Sequence, residues 1–286
     1  MATLRQIRRR ISSIGSIQQV TRAMYLVAAA RVRRAQDRLL AARPYAHRMG
    51  ETLRHVASRV DRSIHPLLAE REVEKTCLIV VSSDRGLCGS FNGQLFRRAT
   101  QHTSDYQDAP YEMVCVGRKG KDFFRKRDYP VVRDYDGVFQ QLTYSAASAI
   151  AEDVIRRFVD GEVDRVQVLY NEFKSVIQQE IVVEQLLPIQ AEAPQGDPHF
   201  LDFIYEPEPA KLMDLLVPRH LHFQMWRILL ESNAAEQGAR MTAMDNATKN
   251  AGELIDELNQ ELNKARQTAI TLELMDIVGG AEALGA

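Results

Sequence analysis

Proline is missing from the last quarter of this sequence: none occurs between Leu221 and Ala286, so nothing there forbids a single uninterrupted helix. Acidic residues are almost missing from residues 1–48, which hold eleven arginines against Asp37 alone, a net charge of +10. Long apolar runs are missing throughout, since no stretch approaches the roughly eighteen residues that cross a bilayer as a helix. Cysteine is scarce, and Cys77, Cys88 and Cys115 form no C-x-x-C pair. That argues against a disulfide framework or a cysteine zinc site and leaves reduced thiols as the expectation. The first residues, Met1 to Gln6, lack the apolar core and cleavage site of a secretory signal, so a soluble bacterial cytoplasmic protein is expected. The basic segment has only Tyr25 and Tyr45 as aromatic platforms, which disfavours nucleic acid as its partner.

What is present is helical periodicity at both ends. Met241, Met244, Thr248, Ala251, Ile255, Leu258, Leu262, Ala265, Ala269 and Leu272 step by three and four, the seam of a coiled coil. From Leu221 onward the helix would be about 100 Å long, more than one globular domain is wide. Its seam needs a partner, and its apolar end, Met275 to Ala281, needs a socket. Gly238 and Gly252 each cost roughly 1 kcal/mol inside a helix, which implies close approach by a neighbour or a bend. At the other end, Thr3-Leu4-Arg5-Gln6 fits a capping box, and Leu4, Ile7, Ile11 and Ile14 begin a stripe. The stripe shifts near Ile17 and Val20, then resumes from Ala28 to Val60. Pro44 should kink this helix or end it. Residues 231–286 carry ten acids against four bases, a net charge of −6, so the two ends are electrostatically complementary, one way in which a coiled coil chooses its partner.

Between them the period changes. Cys77 to Ser83 is a continuous apolar run suited to a buried strand, followed by the glycine-rich turn Asp84 to Gly93 and a helix. Further strands are expected at Tyr111–Val116, Pro130–Tyr135, Val163–Phe173 and Gln178–Ile189. Helices are expected around Asp122–Arg127 and Ser145–Val159, a loop at Ala191–Pro198, and an edge strand at Leu201–Tyr205. This alternation predicts a small Rossmann-like α/β domain. Helix begins again after Glu206-Pro207-Glu208-Pro209, with Pro218 tolerable near its start.

Few residues invite chemistry. The glycine-rich turn lies where an α/β protein would bind a nucleotide, but it lacks the Lys-Ser/Thr of a P-loop, and Gly86, Gly89 and Gly93 miss the dinucleotide spacing. A tight turn packing helix on sheet is the favoured reading. Cys88 has no recognisable histidine partner as a nucleophile. His220 and His222, two apart on a helix, point to different faces and make a poor metal pair. The arginines exceed what solubility requires, so a protein partner with an acidic surface is the sharper reading of the first helix.

Several stretches carry a resemblance over essentially the whole chain. They are Ile11-Ser12-Ser13-Ile14 through Thr21-Arg22-Ala23-Met24 to Val27-Ala28-Ala29, then Ser83-Asp84-Arg85-Gly86-Leu87-Cys88-Gly89, and Ile270-Thr271-Leu272-Glu273-Leu274-Met275-Asp276 with Gly280-Ala281. Ala239-Arg240-Met241 and Lys264-Ala265-Arg266-Gln267 add to them. The sequence resembles the γ subunits of F-type ATP synthases. The resemblance implies an α/β fold class in which the N- and C-terminal helices form a long antiparallel coiled coil beside the α/β domain, divided as residues 1–60, 75–206 and 209–286. It implies a rotor shaft that turns inside a ring of three α and three β subunits and couples proton translocation to ATP synthesis or hydrolysis. The α/β domain would meet the ε subunit and the c-ring. No catalytic residue, cofactor or metal of its own is implied, and the membrane association, at the cytoplasmic face of a bacterial inner membrane, is peripheral and through the complex.

Carried over residue by residue, the resemblance places Arg22 and Met24 near the moving lever of a β subunit. Arg240, Arg266, Gln267, Thr271 and Glu273 would lie across the coil or against loops of the ring. Tyr205 and Glu206 would lie at the c-ring and ε. Gly15-Ser16 departs from the commoner pattern, and the regulatory cysteine insert of chloroplast relatives is lacking.

Overall fold

The structure, a computed structural model, describes residues 3–57, 65–105, 110–189 and 209–284. Helix α1 runs from Leu4 to Ala57, and its start is the capping box read from the sequence. The Thr3 amide donates to Gln6 Oε1 at 2.9 Å and the Gln6 amide to Thr3 Oγ1 at 3.3 Å, so two amides without intrahelical partners are satisfied reciprocally. The helix neither shifts register at Ile17 nor stops at Pro44. From Leu4 through Gln18, Thr21, Tyr25 and Ala28 to Val56, every position of an unbroken three-four repeat is buried or half-buried. Ile17 and Val20 are instead 55% and 58% exposed. The expected shift arose because the repeat passes through polar Gln18 and Thr21 while apolar residues sit one position earlier.

Strands β1 (Thr76–Val81), β2 (Tyr111–Val116), β3 (Val131–Tyr135), β4 (Arg165–Phe173) and β5 (Gln179–Leu187) form one sheet in the order β3-β2-β1-β4-β5. The first four are mutually parallel where they pair, and β5 returns antiparallel along β4. Helices α2 (Phe91–Asp105), α3 (Arg118–Arg125) and α4 (Tyr144–Val159) make the crossovers. Because side chains alternate along a strand, Cys77, Ile79 and Val81 face one layer and Leu78 and Val80 the other. The first layer includes α4 together with Leu53 and Val56 of α1 and Met213, Val217 and Leu221 of α5 (Pro209–Leu284). The second is built by Leu95, Phe96 and Ala99 of α2 and Phe124 of α3. Burial on both faces is why the central strands read as continuous apolar runs.

Helix α5 extends from Pro209 to Leu284 with Pro218 inside it, roughly two and a half turns from its start and past the first-turn position where the missing amide would cost nothing. The chain divides into two compact units, Met1–Ala28 with Met241–Ala286, and Ala29–Arg240. The division therefore falls within both long helices. The reason is apolar: residues from 53–56 and 213–229 are part of the sheet's own core. Gly238 and Gly252 of α5 meet close neighbours, as their cost in a helix suggested. A Cβ on Gly238 would lie 3.2 Å from the Val176 carbonyl oxygen, and one on Gly252 would lie 3.0 Å from Gln18 Nε2. The expected loop at Ala191–Pro198 and edge strand at Leu201–Tyr205 lie outside the described residues.

Two glycines should respond in opposite directions. Gly117 has φ +93°, and a Cβ there would sit 2.2 Å from the Ser82 carbonyl oxygen, so Gly117→Ala is expected to lower stability by at least about 2 kcal/mol. Gly15 lies in α1 with nothing within 4 Å of its virtual Cβ, and Gly15→Ala should raise stability by roughly 0.5–1 kcal/mol. Urea denaturation followed by circular dichroism checks both.

Candidate partner-binding surfaces

In the unit formed by Met1–Ala28 and Met241–Ala286, α1 and α5 pair antiparallel. Thr21 stands opposite Thr248, whose hydroxyl donates to Thr21 Oγ1 at 2.8 Å, and Gln18 reaches the Thr248 carbonyl at 3.4 Å while lying against Gly252. Polar residues at a seam specify register because a slip would strand them against apolar neighbours. The charge complementarity of the two ends takes no direct form here: among the described residues, no ion pair joins the two helices in this unit. Neutral hydrogen bonds and the close approach at Gly252 hold the register.

The expected seam of α5 is buried or half-buried from Met241 to Ala269, whereas Leu272 is 59% exposed. The register explains the difference. Counting back from Thr21 to Leu4 brings α5 from Thr248 to Ala265, so residues 266–284 continue past the start of α1. On that overhang Ile270, Leu274, Met275, Ile277 and Val278 are exposed. Arg266, Gln267, Thr271 and Glu273 are exposed there too, and the Thr271 hydroxyl donates one turn back to the Gln267 carbonyl at 2.9 Å.

A second surface runs along α1. Ile17, Val20, Met24 and Val27 step by three, four and three, one residue ahead of the seam, and make an apolar stripe beside it. Ile17, Val20 and Val27 are exposed and Met24 is half-buried, with exposed Arg22 on its flank. Among these, the sequence marks only Met24 and Arg22 as partner contacts; the signal for the others is the very periodicity that looks like a shift.

The unit Ala29–Arg240 holds the glycine-rich turn, and its polar groups bind the chain itself. Asp84 Oδ1 accepts from the amides of Arg118 (3.1 Å) and Gly137 (3.0 Å), and Oδ2 accepts from Phe139 (3.1 Å). A carboxylate therefore takes amides at the α3 end of the strands, where a phosphate would be cradled in a nucleotide site. The Asn92 side chain bonds the Ser83 amide and hydroxyl and reaches Cys88 Sγ at 3.3 Å. Burial, and then the charge of Glu236, push the Cys88 thiol up, away from nucleophilic use. Cys77 and Cys115 are pushed up to about 12, chiefly by burial, and all three thiols are free.

The resemblance places Arg240 across the coil or against loops of the ring. It is 7% exposed and donates to Glu236 Oε1 at 2.6 Å and to the Gly86 carbonyl at 3.2 Å, because the buried Glu236 one turn back requires a cation. Tyr205 and Glu206 lie outside the described residues. His220 and His222 do not converge: His220 lies by Gln224, and His222 by Glu152 at 4.0 Å. Among the described residues, no group of three His, Cys, Asp or Glu side chains could hold a metal, and no helix is long and apolar enough to cross a membrane.

Burial, and next the charge of Arg227, lower the His220 pKa to about 4 from an ordinary 6.5. The unfolded chain gains this proton near pH 6.5 and the folded chain only near pH 4, so the contribution is full above that window and lost as pH falls through it. Unfolding measured from pH 7 to 4 should show His220→Gln removing on the order of 2 kcal/mol of the acid-induced loss.

Comparison with known proteins places this architecture. A family model described as ATP synthase matches residues 3–284. The chain is 51% identical over 292 aligned residues to the ATP synthase gamma chain of Chlorobium phaeobacteroides strain BS1, with 99% of each chain covered. To that of Prosthecochloris aestuarii it is 51% identical over 290 aligned residues, again with 99% of each covered. A chain in the structure of the Tetrahymena thermophila mitochondrial ATP synthase central stalk and c-ring is similar with a TM-score of 0.62 at 26% identity, covering 80% of this chain and 99% of that one. The fold is shared with a chain of the Euglena gracilis mitochondrial ATP synthase, with a TM-score of 0.69 at 18% identity over 98% of this chain and 94% of that one.

Proposed function

The chain belongs to the ATP synthase gamma-chain family, and on that premise we propose that it is the central rotor shaft of an F-type ATP synthase. In this role it couples proton translocation through the membrane sector to ATP synthesis or hydrolysis on the β subunits by turning inside the ring of three α and three β subunits. The observation that carries the reading is the extent of the likeness, which runs through both terminal helices as well as the sheet. The geometry suits the task. The α1 stripe of Ile17, Val20, Met24 and Val27 faces outward on one side only, so identical ring subunits meet different surfaces of the shaft. Differential contact of that kind is what shifts populations among conformations of otherwise equal subunits. The overhang of α5 offers the ring apolar side chains, contacts without the directional bonds that rotation would have to break.

The shaft itself performs no chemical step. Arg22 and Met24 face a β lever, and Arg266, Gln267, Thr271 and Glu273 face ring loops near the end of α5. Arg240 serves from within, setting the turn at Gly86 against α5. Tyr205 and Glu206 meet the c-ring and ε, through which the chain is held, peripherally, at the cytoplasmic face of a bacterial inner membrane. Mixing the purified chain with its cognate α and β subunits should yield a stable complex with ATPase activity; failure to co-assemble where another gamma chain does so would defeat this reading. Met24→Lys should reduce protons pumped per ATP hydrolysed while changing the isolated chain's unfolding midpoint little, because an added ammonium on the stripe can pair with an acidic lever. Unchanged pumping stoichiometry would contradict the placement of Met24.

A further inference from the structure

A single turn at His65-Pro66-Leu67-Leu68 ties three elements of the unit Ala29–Arg240 together. The His65 carbonyl accepts from the amides of Leu68 (2.9 Å) and Ala69 (3.2 Å), and the Leu67 carbonyl accepts from the Ile189 amide, just past β5, at 3.0 Å. Leu67 and Leu68, both 3% exposed, enter the core that holds Leu53 and Val56 of α1, Leu187 of β5, and Met213 and Val217 of α5. One amide of the turn is left to a side chain: the Leu67 N–H donates to His65 Nδ1 at 3.2 Å. His65 therefore stands to this turn as an N-cap residue stands to a helix, with a ring nitrogen in place of the usual oxygen. Pro66 follows it, in the position where a missing amide costs nothing.

That bond fixes the proton on the ring. A nitrogen that accepts must be bare, so the imidazole is neutral and carries its hydrogen on Nε2. The ring is buried, and burial lowers its pKa below the ordinary 6.5 against the pull of Asp214. Asp214 lies on α5 with Oδ1 3.8 Å from Nε2, and its own side chain is 75% exposed. Among the described residues it is the charged group that acts on the ring; Lys211 stands one turn before it on α5, and the core residues from α1 and β5 carry no charge. The ring thus has two alternative partners: a buried amide while it is neutral, and an exposed carboxylate once it is charged. We propose that His65 is an acid-operated latch. Taking a proton from solvent onto Nδ1, it gives up the Leu67 amide, turns outward to Asp214 and frees Leu67 and Leu68 from the junction of α1, β5 and α5. The open turn binds this proton near pH 6.5 and the closed turn only at lower pH, so the latch is shut above that value and loosens as pH falls below it.

Amide exchange in the full chain, resolved by NMR and corrected for its intrinsic pH dependence, reads the latch directly. Between pH 7.5 and 5.5, protection at Leu67, Leu68 and Ala69 should fall severalfold, about tenfold being the ceiling for one linked proton. His65→Asn supplies a cap of similar reach that takes no proton, and should remove that fall. A fall of the same size in this variant would assign it to another group and overturn the proposal. Asp214→Asn removes the partner of the charged ring and should move the fall to lower pH; the same fall at the same pH would count against the switch. A second measurement needs no substitution at the turn in the protein being read. Two-bond 1H–15N spectra of the chain labelled with 15N-histidine, with His65 assigned by the signal that His65→Asn lacks, should show the Nε2–H tautomer at pH 7.5. A proton on Nδ1 at that pH, or protection that does not change with pH, would overturn the latch as well.

Discussion

One stripe along α1 governs this molecule. A helix of that length must keep a single line of side chains out of water, and a strict three-four repeat does so only if the helices curl gently about the line they share. Every position of the repeat from Leu4 to Val56 is buried or half-buried, including those occupied by Gln18, Thr21 and Tyr25. The consequences are local and chemical. Where the stripe is small, as at Ala28 and Ala35, those positions are buried. Where it is polar, it must be answered by polar groups or by closeness, which Thr248 and Gly252 supply.

Within Ala29–Arg240 the same logic works through charge. Glu112, 2% exposed, is met by Arg157 and Lys75, and Arg227 binds both carboxylate oxygens of Glu184 and the Tyr170 hydroxyl. Removing one partner of such a pair costs more than the pair contributes, since the survivor is left charged in a poor solvent. Arg31, Arg34, Arg38 and Arg85 are the contrast: no carboxylate of the described residues lies in ion-pair range of them.

The fold was legible wherever one physical signal stood alone. β2 runs from Tyr111 to Val116 both in expectation and in the structure, because an apolar run lies between Pro110 and Gly117. The capping box at Thr3 and the close approaches at Gly238 and Gly252 were equally plain. Legibility failed where two signals overlapped. Two stripes one residue apart looked like a shift. It failed again where tertiary partners decide, as in the inward turn of Arg240 toward Glu236, or Asp84 gathering three amides from residues more than thirty positions away. The overhang exposing Arg266, Gln267, Thr271 and Glu273 was half legible: the apolar end was visible in the sequence, but its lack of a neighbour follows only from the register set at Thr21 and Thr248.

Pro44 and Pro218 each remove one rung from the hydrogen-bond ladder of a long helix, and both fall within Ala29–Arg240, while Met1–Ala28 and Met241–Ala286 contain no proline. A rod with missing rungs bends and twists most easily at those points. In mechanical terms each long helix is a stiff segment in series with a softer one. Under load, elastic energy collects in the softer segment, beside the sheet, and the segment carrying the outward stripe of α1 and the overhang of α5 keeps its shape while it turns.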